Sequence, residues 1–288
     1  MRNVIHVCVL LLAFAWELPA AQLIKIGSRR ELFVDHHLIE KLNGARLKLR
    51  HPVPREVAII HDEAWEGNGT GYHSIFKDGD RYRMYYCSYH FEVGAKRFKT
   101  VKQQFLCYAE SDDGVHWRKP ELGLHEFEGS RKNNILIGPH DIAHSSVDPS
   151  HSAVFKDPNP KAPEEARYKA IIRGKQRLGM LAFQSPDGLR WTPMRDRPVI
   201  TNGAFDSQNL AFWDPVRREY RAYFRTFTGG VTNDEKWKPS GKRAIRTMTS
   251  DNFVDWKDAA DLTYVDSPDE HLYTNQIKPY HRAPHIFI

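Results

Sequence analysis

Cysteine is scarce in this sequence, with three in 288 residues. Cys8 sits in the N-terminal apolar run, which leaves Cys87 and Cys107. Two thiols cannot build a disulfide scaffold or a four-cysteine zinc site. They fall in two expected strands joined by one loop, so a cross-strand disulfide and a pair of buried free thiols both fit the sequence. A His-Glu-x-x-His zinc motif, a Walker phosphate loop, a dinucleotide fingerprint and a Gly-x-Ser-x-Gly nucleophile turn are all missing. The expectation is therefore no metal and no cofactor. Convincing long amphipathic helical patterns are missing too, which points away from helical folds.

Long apolar runs are nearly absent. The exception is Val4 to Trp16, preceded by Arg2 and followed by Glu17-Leu18-Pro19-Ala20-Ala21. At about 13 residues it is short for a bilayer span but right for the core of a secretory signal. We read residues 1–21 as a signal peptide, with a secreted or periplasmic chain starting near Gln22. No membrane span is expected after it. The charge balance is +6 with a pI near 9.1. Basic residues are mixed with acidic ones along the chain, and the densest runs, Lys96-Arg97-Phe98-Lys99 and Lys236-Trp237-Lys238, fall in expected loops. That is a solvated basic surface, and no nucleic-acid partner is expected.

What the chain does have is aromatic residues and a repeat. Aromatics make up 12%, including 12 Tyr and 7 Trp, a composition suited to stacked, twisted sheets. Ser111-Asp112-Asp113-Gly114-Val115-His116-Trp117 matches Ser185-Pro186-Asp187-Gly188-Leu189-Arg190-Trp191. A weaker third copy is Ser250-Asp251-Asn252-Phe253-Val254-Asp255-Trp256. The copies lie 74 and 65 residues apart. Each follows a strand-like run and precedes another that starts at the Trp, and Asp-Gly between two such runs signals a tight hairpin turn. The Trp is expected to wedge between neighbouring sheets.

The first half of each unit recurs as well. Gly71–Lys77 and Arg81–Tyr86 flank the turn Asp78-Gly79-Asp80. Ser150–Lys156 and Arg167–Ile172 flank a longer polar loop. Gln208–Trp213 and Glu219–Phe224 flank Asp214–Arg218. Each unit reads as one antiparallel four-stranded blade, and stacked blades make a β-propeller. The expected domains are the signal peptide and an incomplete propeller over 22–288. Its blade 1 spans about 66–122, blade 2 about 133–200, blade 3 about 204–265 and the start of blade 4 about 266–288. Glu31–Leu42 is expected to supply a leading strand pair. Because about three and a half blades do not close a ring, the expectation is a fragment of a longer, five-bladed chain.

Blades of this size, each with an Asp-Gly-x-x-Trp turn, resemble the five-bladed propellers of glycoside hydrolase families 43 and 32. The resemblance covers the chain from about Arg46 onward. It implies a carbohydrate substrate and acidic residues on the inner strands near the axis, where one carboxyl protonates the leaving oxygen and a second acts across the bond. The acid that opens the first blade in those families has no counterpart, since Gly71-Tyr72-His73-Ser74 stands there. This departure keeps a second reading open, a non-catalytic propeller that binds glycans or an extracellular protein.

Axial residues should lie at the starts of inner strands. Blade 1 offers Glu66, Asn68, Tyr72 and His73; blade 2 offers Asp148, His151 and Ser152. Blade 3 offers Asp206, Gln208 and Asn209; blade 4 offers Glu270, His271, Tyr273, Asn275 and Gln276. The expected catalytic carboxylates are Asp206, Glu270 and Glu66. The expected substrate contacts are Tyr72, His73, His151, Gln208, Asn209 and Asn275, a mixture of amides, imidazoles and aromatics suited to sugar hydroxyls and sugar faces. Asn68-Gly69-Thr70 also fits a glycosylation sequon.

Overall fold

The computed structural model describes residues 23–95, 98–138, 147–175 and 179–288. The expected signal peptide lies outside them. The chain divides into two compact units at His51, the second being Pro52–Ile288. Residues 23–51 of the first contain turns, such as the one closed by Arg29 N to Ile26 O at 3.1 Å, but no strand. The strand pair expected at Glu31–Leu42 is not formed. Its alternation is brief and interrupted by the Asp35–His37 turn, where Asp35 Oδ1 accepts the His37 amide at 2.9 Å.

The second unit is all-β. Its first sheet consists of β1 (Gly69–Asp78), β2 (Arg81–Tyr89), β5 (Phe105–Ser111) and β6 (Ile135–Ile137), in that order. A small ribbon, β3 (Phe91–Val93) with β4 (Phe98–Thr100), is inserted between β2 and β5. The second sheet runs β7 (Val147–Lys156), β8 (Tyr168–Gly174), β9 (Met180–Ser185), β10 (Thr192–Pro193). The third runs β11 (Leu210–Asp214), β12 (Glu219–Thr232), β13 (Trp237–Ser250), β14 (Trp256–Asp261). All pairings within the three sheets are antiparallel. This is the blade architecture of a β-propeller. A two-stranded hairpin, β15 (Pro279–Tyr280) with β16 (Ala283–Phe287), follows the third blade. Among the described residues the one helical element is the single turn Glu164–Ala166, and no helix is long and apolar enough to cross a membrane.

The repeated heptapeptides fold into the same turn three times. Ser111 Oγ accepts the Gly114 amide at 2.9 Å, and Asp113 Oδ1 accepts the amides of Val115 and His116, each at 2.8 Å. Ser185 and Asp187 do the same for Gly188, Leu189 and Arg190. In the third copy Asn252 Oδ1 takes the place of the carboxylate and accepts from Val254 and Asp255. The turn needs a left-handed residue: φ is 81° at Gly114 and 78° at Gly188. Phe253 adopts the same conformation at 68°. Its side chain is fully buried against Tyr220 and Trp256, so packing offsets a strain that glycine avoids elsewhere.

The three tryptophans mark the layers between blades. Trp191 packs into the core shared by the first and second sheets, and Trp256 into the core shared by the second and third. Trp117 packs on the far face of the first sheet with Ile59, Trp65 and Phe127. Trp191 and Trp256 therefore each face the blade before their own. Trp117 does not open a strand as the repeat suggests. Arg118 makes a lone bridge to Glu110, and the chain loops out before β6 completes the outer edge. Cys87 belongs to the core between the first two sheets and Cys107 to the opposite face, because Cys107 pairs in register with Tyr86. Both are free, buried thiols.

A second device ties blades together. Asp78, ending β1, accepts the Tyr168 hydroxyl from the next blade at 2.6 Å. Asp157, just past β7, accepts the Tyr220 hydroxyl from the third blade at 2.6 Å. The equivalent Asp214 of the third blade binds Arg217 at 3.0 Å, with Phe287 of the final hairpin packed against Phe212.

Candidate functional site

Inner strands of a propeller start at the axis, so irregularity at those starts shapes whatever lies there. β1 loses its regular register between Gly71 and Ser74, and Tyr72 takes a left-handed φ of 52°. β7 is irregular between Asp148 and Ala153. Residues 205–209 precede β11, and residues 273–276 run beside them without joining a sheet. These four segments meet. Gln208 Nε2 donates to Tyr72 O at 3.1 Å, and Gln276 Nε2 donates to Gln208 Oε1. Ser207 Oγ donates to Tyr273 O at 3.2 Å. Asn209 Nδ2 donates to His151 O at 3.2 Å. The Tyr72 ring lies 5.7 Å from the His151 ring.

Two acid–guanidinium pairs flank this junction. Asp148 Oδ2 lies 3.3 Å from both Arg173 Nη1 and His151 Nδ1, and Ser150 donates to Asp148 as well. Burial pushes the Asp148 carboxyl up, but the hydrogen bonds from His151 and Ser150 and the charges of His151 and Arg173 outweigh it and hold its pKa at about 2. It is a carboxylate at neutral pH. Asp206 Oδ1 lies 2.9 Å from Arg225 Nη1. The Asp206 side chain is 37% exposed, whereas Arg225 is 3% exposed. Arg225 also donates to Tyr273 O from Nε at 3.0 Å and Nη2 at 2.6 Å, with its guanidinium 4.6 Å from the Tyr273 ring centre. Burial raises the Tyr72 phenol above its ordinary value, so it stays protonated.

The expected residues thus divide. Tyr72, His151, Asp206 and Gln208 come together at the junction. Asn209 is buried there, and its amide is spent on the carbonyls of Phe205, Ser207 and His151, so it shapes the loop. Asn275 is also buried, its Oδ1 accepting the Ile277 amide at 3.4 Å. Glu270 is exposed in the loop after β14, next to Asp269, whose carboxylate pairs with Lys242. His73 turns away from Tyr72 and stacks on Tyr86, with Nε2 3.3 Å from His61 Nε2.

Glu66, one of the three expected catalytic carboxylates, is enclosed by its neighbours. It is 0% exposed. Tyr86 Oη donates to it at 2.5 Å, Lys119 Nζ at 2.7 Å and the Glu63 amide at 2.9 Å, with His61 Nδ1 at 3.1 Å. Burial raises its pKa, but these partners win and bring it to about 2. A carboxylate so enclosed anchors the segment that covers the first sheet. Asn68 is similarly engaged: Nδ2 donates to Phe91 O and Oδ1 accepts the Phe91 amide, both at 2.8 Å.

Arg173 and Arg225 were not expected from sequence. A signal was present: each stands five residues after the inter-blade tyrosine of its own sheet, Tyr168 or Tyr220, directly after an apolar pair, Ile171-Ile172 or Tyr223-Phe224. In the first blade the residue five after Tyr82 is Cys87. That blade has neither the acid nor the arginine.

No family model matches the sequence, and no curated protein matches it. Solved structures do. An N-acetylgalactosamine deacetylase from F. plautii, in complex with blood group B trisaccharide, is 13% identical over 74% of this chain and 60% of that one, with a TM-score of 0.45. A fructofuranosidase from Schwanniomyces occidentalis is 16% identical over 66% of this chain and 33% of that one, with a TM-score of 0.39. A glycosyl hydrolase from Bacteroides ovatus is 14% identical over 75% of this chain and 73% of that one, with a TM-score of 0.36.

Proposed function

We propose that the chain is an exported carbohydrate-active protein, a glycoside hydrolase acting on poly- or oligosaccharides at the propeller axis. The observation that carries this reading is the convergence of two arginine-paired carboxylates, Asp148 and Asp206, with Tyr72 and His151 of the inner strands and Tyr273 of the segment beside them. Carboxylates, amides and exposed rings side by side are what a sugar demands of a site. Asp148, held ionised, is suited to stabilising positive charge developing on the sugar ring. Asp206, half-exposed, is the candidate for proton transfer or attack, and Glu270 on the adjoining loop is the candidate second acid.

A second reading, glycan binding without cleavage, is favoured by one observation: Tyr72 occupies the first-blade position and its phenol stays protonated. A panel of plant and algal polysaccharides, assayed for both reducing-sugar release and retention on the protein, separates the two. Release supports the hydrolase; retention without release supports the binding module; the absence of both rules out a carbohydrate function on these glycans.

A further inference from the structure

The arm formed by the distal halves of β12 and β13 rises from the same end of the third blade as Asp206 and Arg225. It is long, each strand having 14 residues against five in β11. Phe227, Trp237 and Arg243 lie along it, with Lys236 and Lys238 exposed near its tip.

Arg243 differs from the other arginines of this end. Arg173 is paired with Asp148, and Arg225 with Asp206 and the Tyr273 carbonyl. The Arg243 guanidinium instead packs against two rings, 5.8 Å from the centre of Phe227 and 5.3 Å from that of Tyr273. Its Nε is buried with no hydrogen-bond partner, and among the described residues its side chain has no ion pair. Its neighbours are engaged: Lys242 pairs with Asp269, and His271 Nδ1 accepts the Arg243 amide at 3.1 Å. A guanidinium held between two rings keeps its planar fork in one place while its edge stays unsatisfied. A buried donor left unpaired is costly unless a ligand completes it.

We propose that Arg243 receives an anionic group, a carboxylate or sulfate, of an acidic glycan lying along this arm. The inference rests on the carbohydrate reading above and narrows it to polyanionic sugars. Tyr273, 60% exposed, and Trp237, 43% exposed, provide faces for the sugar rings on either side of the charge. A carboxylate matches the guanidinium fork in two parallel hydrogen bonds, and a sulfate presents oxygens to the same edge.

The test is retention of three probes by the purified chain: polygalacturonate, a sulfated galactan and neutral arabinan, at low and at physiological salt. Wild type should retain at least one acidic probe over arabinan. Arg243→Ala should weaken that retention by about tenfold or more, and Arg243→Lys should restore part of it, with near-ultraviolet circular dichroism unchanged in both. If Arg243→Ala is misfolded by that measure, Arg243→Lys alone decides, since loss of the bidentate fork must still weaken retention. Equal retention of acidic and neutral probes, or acidic retention that ignores both substitutions, overturns the proposal. Cleavage of neutral glycans alone also overturns it while leaving the hydrolase reading intact. Acidic retention through Arg243 without cleavage upholds it and overturns the hydrolase.

Discussion

Arg225 holds Asp206 at 2.9 Å, and the same pairing recurs one blade earlier between Arg173 and Asp148 at 3.3 Å. In each blade the guanidinium comes from the second strand, and the acid from the first residues of the inner strand, as Asp148, or from the approach to it, as Asp206. The arrangement explains how a half-exposed carboxylate is aimed without being enclosed, since a buried planar cation fixes one side of it and leaves the other to solvent. Arg225 does more, because its other nitrogens hold the Tyr273 carbonyl and bring the 270–278 segment to the axis.

Replacing Arg225 with Met should therefore unfasten two things at once. Asp206 loses its partner and the Tyr273 carbonyl loses two donors. The expected cost is about 1–3 kcal/mol of stability, read as a lower urea midpoint. Faster amide exchange should be confined largely to residues 270–278.

The aspartate–tyrosine ties between blades predict an additive pair. Asp157 is fully buried and is shared by Lys169 Nζ, at 2.5 Å, and the Tyr220 hydroxyl. Tyr220→Phe and Tyr168→Phe should each cost about 1–2 kcal/mol. The two ties lie at different blade junctions, so the double variant should show the sum of the two costs in thermal or urea unfolding.

Glu66 makes stability depend on acid. Its pKa falls from 4.5 to about 2 on folding, so the folded state binds the proton less readily than the unfolded state. The stabilisation is complete above about pH 4.5 and is lost as pH falls through about 2. Its size is roughly 3 kcal/mol at neutral pH. Urea unfolding of wild type and Glu66→Gln between pH 6 and pH 2.5 checks this: wild type should lose stability over that interval more steeply than the variant.

The turn glycines separate conformational strain from crowding. A Cβ at Gly188 would meet Tyr85 Oη at 2.6 Å and Arg83 Nη1 at 2.8 Å, in a left-handed backbone. At Gly79 the backbone is also left-handed, but no atom lies within 4 Å of the added carbon. Gly79→Ala should cost about 1 kcal/mol and Gly188→Ala more, about 2–3 kcal/mol. Thermal unfolding of the two variants gives the comparison.

The blades were legible in the sequence because their turns are encoded locally. Ser, Asp and Gly act within one heptapeptide, so the repeated motif reveals the turns, with Asn252 and Phe253 standing in for Asp and Gly in the third copy. The wedge role of Trp191 and Trp256 was legible for the same reason. The outer edge of the first blade was not: Trp117 keeps the motif, yet the ladder partner of β5 comes from Ile135–Ile137, beyond a loop with no distinguishing pattern. The site was legible only in part. Tyr72, His151, Asp206 and Gln208 were expected at strand starts, where polar residues stand out against apolar strands. Glu66 looked similar, but its enclosure depends on Lys119 and Tyr86, which no local pattern links to it. Arg173 lies near the end of β8 and Arg225 midway along β12, and their role depends on which neighbouring loop packs against them. Cys87 and Cys107 were left open, and the strand register decides them, because a one-residue offset places them on opposite faces.

The central claim is that the junction of the inner strands cleaves a glycan with Asp206 as an essential carboxylate. The most direct measurement is reducing-sugar release from a polysaccharide panel by wild type and by Asp206→Asn, with unfolding curves confirming an intact fold. The account predicts release by wild type and a fall of about a hundredfold or more in the variant. Release by Asp206→Asn at the wild-type rate would contradict it.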